Sequence, residues 1–547
     1  MKDAEFISID QNSHALWDTL PKLQAAAKAS RSVDHYVEDI DSAFTRRGSE
    51  PGDNEMEISL ERYYRDGSQD WGAALFYPGF LGRTAIDLHE IEPLLGCSLK
   101  SLAKQLNTSI DDLYHEYSAS DTRQLIGSSY VYDKQYHRVI GDLSMSEVKP
   151  HLKELFAYTE KDMLRSFPDR DSQERIKDWC ETEWSRVKGI LSGSENSCSS
   201  SLVGLYLNWL NSHLSQDLVS CGYTSNLFQT EKCPAIQGGE LFQNFLAHYS
   251  AMADCYNKAV DCDDVKIKPL NKEQGELPFF VVWNYDERLL RSPLYFRDGY
   301  LLAADKCWPV ESSGREKTFG GMDEAGVFCI TGKALPLVLQ VRMGRQGKSL
   351  LLPYRGSEYM PAAYRFEHNL KRENLLQKEL SPVTRVRFHF LERIGQCGDT
   401  SIRLPKYLQE FFNAEVLTAA EFSEHQKNVR RNTGKELEKL RTEKGYNDLE
   451  KKVAPELLER IECLENERKR VAQQPENRAR ASALWKEIKT HRKVVTERVL
   501  DYTIRLLHVS NLDYWDSRGA IYPWSIALGG NDFYQSVLNN AEFYEEL

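Results

Sequence analysis

The chain has 547 residues, of which 41% are hydrophobic and 28% charged, and its formal net charge is −12. This balance is typical of a globular protein and excludes a disordered one, and the length predicts about two to four domains. The amino terminus is acidic where a signal peptide is basic, and the longest apolar run, 334–341, is far shorter than the roughly 20 residues of a membrane span. The 11 cysteines form no CxxC pair or regular framework, which favours reduced thiols in the cytoplasm and indicates no metal site.

The predicted fold class is mixed α/β and dominated by helices, and the first half of the chain is expected to be mostly helical. Apolar side chains in residues 11–47 fall at helical spacing, and residues 123–143 alternate as a small β-hairpin. A serine-rich stretch at 192–201 is typical of a linker. We therefore expect a helical region over 1–192 and a helical connector over 202–265.

Residues 95–117 have the spacing of two short helices, with a break at Thr108-Ser109. DNA-binding helix pairs share this pattern. The second helix would carry Asp111, Asp112 and Glu116, however, and these carboxylates would repel phosphates. A packed helix pair is the preferred interpretation, and nucleic-acid binding is disfavoured.

The pattern changes at about residue 266. Apolar segments between turns predict strands at 277–283, 289–296, 300–304 and 327–330, and a helix over 360–380 precedes a strand over 383–391. This alternation predicts an α/β core over 266–415.

A capping box at Thr418–Glu421 opens a long charged region that is expected to be helical. Apolar residues at near-heptad spacing, interrupted at Pro475, predict an antiparallel coiled-coil hairpin over 418–509, through which the chain could form a homodimer. Residues 430–498 contain 19 basic and 13 acidic side chains, a mixture typical of a solvated surface. Residues 510–547 are expected to pack onto the globular body.

The strongest candidate for an active site is a basic segment in this acidic chain. Between residues 333 and 355 there is no acidic side chain, and the basic ones are Lys333, Arg342, Arg345, Lys348 and Arg355. Arginine presents a planar, permanently charged fork that matches carboxylate and phosphate groups. We expect Lys333, Arg342, Arg345 and Arg355 to bind a small anionic substrate. The alternative is that these cations pair with acidic residues elsewhere.

The basic segment continues into residues 354–359, where Gly356 would let a ligand approach the backbone. Tyr354 and Ser357 are the candidate hydrogen-bond donors to the substrate, and Glu358 and His368 are the candidate catalytic acids or bases.

Upstream, residues 326–334 are similar to a phosphate-binding loop. The spacing between the two glycines is one residue too long, and Ala334 stands where a serine or threonine would hold magnesium. A strand, a turn and a helix that begins near Lys333 could still bind an anion through backbone N–H groups. No motif identifies a cofactor, which stays unknown.

The segment Tyr354-Arg-Gly-Ser-Glu-Tyr-Met-Pro-Ala-Ala-Tyr364 contains a tyrosine, a glycine, an acid and a second tyrosine, and Pro382-Val383 and Arg385 follow it. Over residues 280–547 this order resembles the cysteine-adding enzymes of bacillithiol synthesis. The resemblance implies a Rossmann-like catalytic core that joins cysteine to an amino-sugar malate, followed by a long coiled coil and a compact tail. The glycine/glutamine signature that the family has near its amino terminus is absent from this chain.

These patterns together predict a cytoplasmic enzyme that acts on a small anionic metabolite, as a ligase or transferase of the cysteine-adding type. Two alternatives come from other classes. One is a non-enzymatic protein whose coiled coil mediates assembly or binds a partner, and the other is a nucleic-acid-binding protein.

Overall fold

Two six-stranded sheets, four two-stranded sheets and a set of packed helices make up the part of the chain that the computed structural model describes. That part is residues 5–546 except 11–15, 42–43, 47–75, 84–85, 119–121, 125, 129–136, 193–200, 229–238, 263–266, 286–287, 314–315, 319–321, 323–324, 344–347 and 358. The predicted mixed α/β, helix-dominated fold class is confirmed.

The central sheet takes its strands from both halves of the chain. They are β1 (Phe6–Ile9), β2 (Val33–Val37), β3 (Val219–Tyr223), β4 (Ser349–Pro353), β5 (Val383–Arg387) and β6 (Glu542–Glu546). The order is β6-β5-β4-β1-β2-β3; β1 to β5 are parallel, and β6 runs antiparallel to β5. This is the strand order of a doubly wound Rossmann sheet. The order reverses between β1 and β4, which therefore form the topological switch point.

The short parallel strands explain two errors of the sequence analysis. All four residues of β1 are buried, and β2 alternates buried and half-buried positions. The predicted helix around residues 33–44 is wrong, because five residues are too few to separate a helical period from a strand, and β-branched Val33 and Val37 favour the strand. The predicted restriction of the α/β core to 266–415 is also wrong, since β1, β2 and β3 precede that range.

Helices cover both faces of the sheet and continue beyond it. The helices of eight residues or more are α1 (Leu20–Lys28), α2 (Leu99–Leu106), α3 (Met145–Ser166), α4 (Arg170–Ser192), α5 (Leu202–His213), α6 (Gly239–Ala247), α7 (Tyr249–Val260), α8 (Ala334–Met343), α9 (Met360–Arg372), α10 (Ala419–Leu440), α11 (Glu443–Val453), α12 (Pro455–Val471), α13 (Arg478–Ser510) and α14 (Ile521–Asn539). Capping boxes open α3 at Ser144 and α10 at Thr418, and the second confirms the box predicted at Thr418–Glu421. None of the described helices is long and apolar enough to cross a bilayer.

A second sheet is antiparallel and lies between β3 and β4 in the sequence. Its main strands, in spatial order, are Lys306–Pro309, Tyr300–Ala303, Arg288–Arg297, Glu276–Tyr285 and Val327–Gly332. The four strands predicted between 277 and 330 are therefore confirmed. The hairpin predicted in 123–143 is not found in the described part of that range, because Thr122–Gln124 pairs with Phe76–Pro78 and Ile126–Ser128 pairs with Phe44–Arg46.

The helices α10 to α13 pack on one another around a separate apolar core. Ile461 and Leu464 of α12 face Ile488 and Val495 of α13, and all four side chains are buried. The helix α2 and the short helix Ile110–Leu113 pack into the same core. Residues 95–117 therefore contain a packed helix pair, as predicted.

Candidate functional site

Polar residues follow the parallel strands at their carboxyl ends. β1 is followed by Asp10, β2 by Glu38 and Asp39, and β4 by residues 354–357. Ligands of doubly wound sheets bind at this edge, beside the strands where the order reverses. The loop that contains Tyr354, Arg355 and Ser357 thus lies at the switch point.

Four arginines from four different elements surround this edge above β4 and β5. Arg355 follows β4, Arg387 ends β5, Arg430 belongs to α10, and Arg518 follows the 3-10 helix Leu512–Ser517. Nη2 of Arg355 lies 3.1 and 3.3 Å from the two carboxylate oxygens of Asp513, and Nη2 of Arg430 lies 2.9 Å from one of them. One carboxylate therefore joins two guanidinium groups.

The other two arginines lie beside the same loop. Nη2 of Arg387 is 3.6 Å from Oδ2 of Asp516, and its guanidinium lies 4.4 Å from the ring centre of Tyr354. Nη1 of Arg518 is 3.9 Å from the point where a Cβ on Gly356 would lie. We call these four residues, Arg355, Arg387, Arg430 and Arg518, the arginine cluster.

The arginine cluster concentrates positive charge at this edge. Among the described residues, its four guanidinium groups lie beside two carboxylates, those of Asp513 and Asp516. The Nε atoms of Arg387, Arg430 and Arg518 are buried and have no hydrogen-bond partner among the described residues. Burial also raises the pKa of Asp516. A dianion, such as a phosphate monoester or a dicarboxylate, would balance this charge.

The loops after β4 and β5 are held in unusual conformations. Ser357 and His389 have φ values of 54° and 53°, in the left-handed region that residues other than glycine rarely adopt. Nη1 of Arg385 donates to the carbonyl of Gly356 at 2.8 Å, while Nε and Nη2 of the same side chain pair with Glu546 at 2.7 and 3.1 Å. Strained backbone of this kind is concentrated at ligand sites, where surrounding contacts maintain it.

A second group of polar side chains surrounds the end of β1, across the switch point. Nδ1 of His35 lies 3.1 Å from Oγ of Ser8, and Nε2 lies 3.2 Å from Oδ2 of Asp10, which also accepts a 3.3 Å hydrogen bond from the Tyr206 hydroxyl. Ser8 and His35 are paired in register, so these side chains share one face of the sheet. Burial alone would raise the pKa of Asp10, but His35 and the ammonium of Lys22 more than offset it, and the pKa is lowered.

Two buried carboxyl groups follow β2. Asp39 accepts hydrogen bonds from the backbone N–H of Ser225 at 2.9 Å and from its hydroxyl at 2.5 Å, yet burial raises its pKa to about 6. Burial, together with the charges of Asp41 and Asp39, raises the pKa of Glu38 well above its usual value. These groups therefore hold protons more readily than ordinary carboxyls.

Several of the cations predicted to bind substrate have carboxylate partners instead. Nζ of Lys333 is 2.8 Å from Oε1 of Glu276. Arg342 is 5% exposed and donates to the Ser381 carbonyl at 2.7 Å and to Oε2 of Glu367 at 2.9 Å. Because Ser381 precedes β5, Arg342 lies at the amino edge of the sheet, opposite the arginine cluster.

The remaining predicted residues are distributed differently. Lys348 precedes β4 and pairs with Asp34 at 2.8 Å, also at the amino edge. His368 is exposed on α9, about 12 Å along the helix axis from Met360 at its start. Arg345 and Glu358 lie outside the described residues. Of the predicted site residues, the structure brings Tyr354, Arg355 and Ser357 together at the switch point.

The strand, turn and helix around Lys333 are present, but two N–H groups of the turn are already used. The N–H of Gly332 donates to Oε1 of Gln340 at 2.9 Å, and that of Lys333 donates to the Pro278 carbonyl at 2.8 Å. An anion at this turn would have to displace both bonds. Among the residues the structure describes, no group of three or more His, Cys, Asp or Glu is placed to hold a metal ion.

The sequence analysis missed Arg387, Arg430, Arg518, Asp10 and Lys22 as site residues. They come from five separate segments, and no local spacing connects them. A signal existed only for Arg387, which lies in the predicted strand 383–391. Comparison with known proteins supplies no further guide: no protein-family model, curated protein or solved structure matches this chain.

Proposed function

We propose that the chain is a cytoplasmic enzyme that binds a small dianionic metabolite at the carboxyl edge of the parallel sheet. The observation that carries this proposal is the arginine cluster, in which four guanidinium groups from four elements gather at the switch point beside two described carboxylates. Residues 10–19, which connect β1 to α1, contain no glycine. They therefore lack the glycine-rich turn whose backbone N–H groups hold a pyrophosphate in dinucleotide-binding sheets. In this chain the arginine side chains would bind the anion instead.

In this proposal the arginine cluster holds the anion and the loop after β4 orients it. Tyr354 and Ser357 donate hydrogen bonds to the substrate, and Glu358, which follows Ser357 in the sequence, moves a proton. His368 is less suitable for this role because it is exposed far along α9.

We further propose that the reaction is a ligation or transfer of the cysteine-adding type. The strand order supports this proposal, because the resemblance implies a Rossmann-like core. The contacts among α10, α11, α12 and α13 support a coiled-coil hairpin, which the resemblance also implies. The dianion would then be the malate group of an amino sugar, and cysteine would be the second substrate.

A thermal-shift and calorimetric screen of the full chain tests the binding step. Phosphate, malate, succinate and glucose 6-phosphate are compared with acetate at equal ionic strength. We expect a dianion to raise the melting temperature, since a ligand at 100 times its Kd stabilises the folded state by about 2.7 kcal/mol. Arg518→Met should abolish the shift, whereas the matched control Arg480→Met should not, because Arg480 pairs with Glu467 between α13 and α12. An equal shift in both variants would contradict the proposal.

The reaction is tested by mass spectrometry. The purified chain is incubated with cysteine, an amino-sugar malate and a nucleoside triphosphate with Mg²⁺, because the cysteine carboxyl must be activated and its oxygen must leave with the cleaved phosphate group. Formation of the amide is measured with and without Arg387→Met. If the chain bound malate but formed no amide, the proposed anion site would be supported and the cysteine-adding reaction would be contradicted.

One observation favours a second candidate function, in which the helices α10 to α13 bind a protein partner or form a homodimer. Trp485 on α13 is 41% exposed, and Arg468 and Lys489 lie 4.6 and 5.4 Å from its ring centre. Exposed tryptophan is typical of protein interfaces. Sedimentation of the full chain and of Trp485→Ser tests this candidate, which predicts a lower association state for the variant.

A further inference from the structure

A lysine that is almost entirely buried lies across the switch point from the arginine cluster. Lys22 belongs to the first turn of α1, and the whole residue is 6% exposed. Among the described residues its ammonium forms no hydrogen bond or ion pair, and the charges that act on it are those of Asp10 and Asp18. Nζ is not among the fully buried atoms that lack a partner, so the ammonium reaches solvent while its aliphatic stem is buried. The donors of Lys22 are therefore held at this edge of the sheet and open to a ligand.

The carboxylate nearest to Lys22 is already engaged by other groups. Oδ2 of Asp10 accepts hydrogen bonds from His35 and from Tyr206, at 3.2 and 3.3 Å. The other ring nitrogen of His35 contacts Ser8, so the histidine is fixed from both sides. This network orients Asp10 toward β2 and leaves the ammonium of Lys22 with three unused donors.

A single segment connects Lys22 with the arginine cluster. At one end of it, Asp513 bonds to Arg355. At the other end, Gly519 packs so closely against the chain after β1 that a Cβ would lie 2.0 Å from Cα of Asp18. Arg518 is adjacent to this contact, and Asp18 is one of the two carboxylates that act on Lys22. The contact between Gly519 and Asp18 therefore joins the segment that carries Arg518 to the residue whose carboxylate acts on Lys22.

The local charge indicates what Lys22 could bind. Two carboxylates, those of Asp10 and Asp18, act on the ammonium, and they would repel a second anionic group placed beside it. An uncharged hydroxyl or carbonyl oxygen can accept a hydrogen bond from the ammonium without that repulsion.

We propose that Lys22 donates a hydrogen bond to an uncharged hydroxyl or carbonyl oxygen of the ligand whose anionic group the arginine cluster holds. The inference rests on the proposed function and specifies its substrate class. The ligand spans the switch point, with an anionic group at one end and a hydroxyl or carbonyl group at the other. Inorganic phosphate would fill only the first half of this site.

Calorimetry on the full chain with a pair of probes, inorganic phosphate and glucose 6-phosphate, tests the inference. The wild type should bind glucose 6-phosphate more tightly than phosphate. Lys22→Met should weaken glucose 6-phosphate binding about tenfold, since a hydrogen bond to a charged donor is lost, and leave phosphate binding unchanged. Lys28→Met is the matched control, because Lys28 is an exposed lysine on the same helix.

The thermal stability of the ligand-free variants separates binding from folding. Removal of an ammonium that forms no described hydrogen bond or ion pair should leave the melting temperature of Lys22→Met equal to or above that of the wild type. Equal affinity of the wild type for both probes, equal effects of the two lysine variants, or a lowered melting temperature of Lys22→Met would each overturn the inference. If neither probe bound the wild type, the result would instead contradict anion binding by the arginine cluster, and with it the proposed function.

Discussion

Arg342 gives the sharpest test of whether the basic segment is a binding site or part of the core. Its guanidinium is buried and bonds to the Ser381 carbonyl and to Glu367. Breaking a buried ion pair by removing one partner costs about 3–5 kcal/mol. Nζ of Lys371 also lies 3.1 Å from Oε1 of Glu367 and would still neutralise this carboxylate. The loss of stability should therefore be near the lower end of that range. We expect Arg342→Met to lower the free energy of unfolding by about 3 kcal/mol.

Urea denaturation followed by circular dichroism measures this loss, and calorimetry with phosphate measures anion binding on the same samples. Arg355→Met is the matched control. The Arg355 side chain is 44% exposed, so its pair with Asp513 contributes less than about 1 kcal/mol, whereas its loss should weaken anion binding. If Arg342→Met unfolded like the wild type but no longer bound phosphate, the interpretation from sequence would be right and the structural argument wrong.

Three further results are expected. Asp513→Asn should tighten phosphate binding about fivefold in calorimetry, because a carboxylate that competes for two arginines becomes neutral. Burial raises the pKa of Asp39 to about 6, so the folded state binds this proton more tightly than the unfolded state does. The free energy of unfolding should therefore fall by about 3 kcal/mol as the pH rises from about 4 to 6. Urea titrations across this range measure the fall, which Asp39→Asn should lack. Gly519→Ala should lower the melting temperature and weaken phosphate binding, since its Cβ would meet the backbone of Asp18, whereas Gly434→Ala in α10 meets nothing within 4 Å and should stabilise by about 0.5–1 kcal/mol.

The elements that could be predicted from the sequence are those with long patterns or local chemistry. The strands between 276 and 332 alternate over enough residues to be recognised, and the capping boxes at Ser144 and Thr418 mark helix starts within four residues. The central sheet offers neither signal. β1 has four residues, all buried, and three apolar side chains around one serine do not distinguish a strand from part of a helix.

The central sheet also depends on pairing between distant parts of the chain. β1 lies between β2 and β4, so its neighbours begin at Val33 and Ser349. A single sequence carries no record of such contacts. The division of the chain at about residue 266 followed a real change of pattern, from helices to antiparallel strands, but that change is not the boundary of the parallel sheet.

The candidate site shows why a run of like charges in a sequence is a weak guide to the field at a site. Lys333, Arg342 and Lys348 have no acidic neighbour in the sequence, yet each has a carboxylate partner in the fold, and that of Lys348 is 314 residues away. A count over a window measures local composition, while affinity for an anion depends on the charge that is left after pairing.

By that criterion the arginine cluster is the stronger site, although no window of the sequence contains it. Two short α-helices, a strand pair and part of α10 separate Arg387 from Arg430 in the sequence. The two arginines come together because their partners, Asp516 and Asp513, lie one turn apart in a short 3-10 helix above the sheet. Two carboxylates hold three arginines in place, and Arg518 adds a fourth guanidinium that has no carboxylate partner among the described residues. The gathering of four guanidinium groups therefore arises from the fold, at the edge where strand order alone already places a ligand.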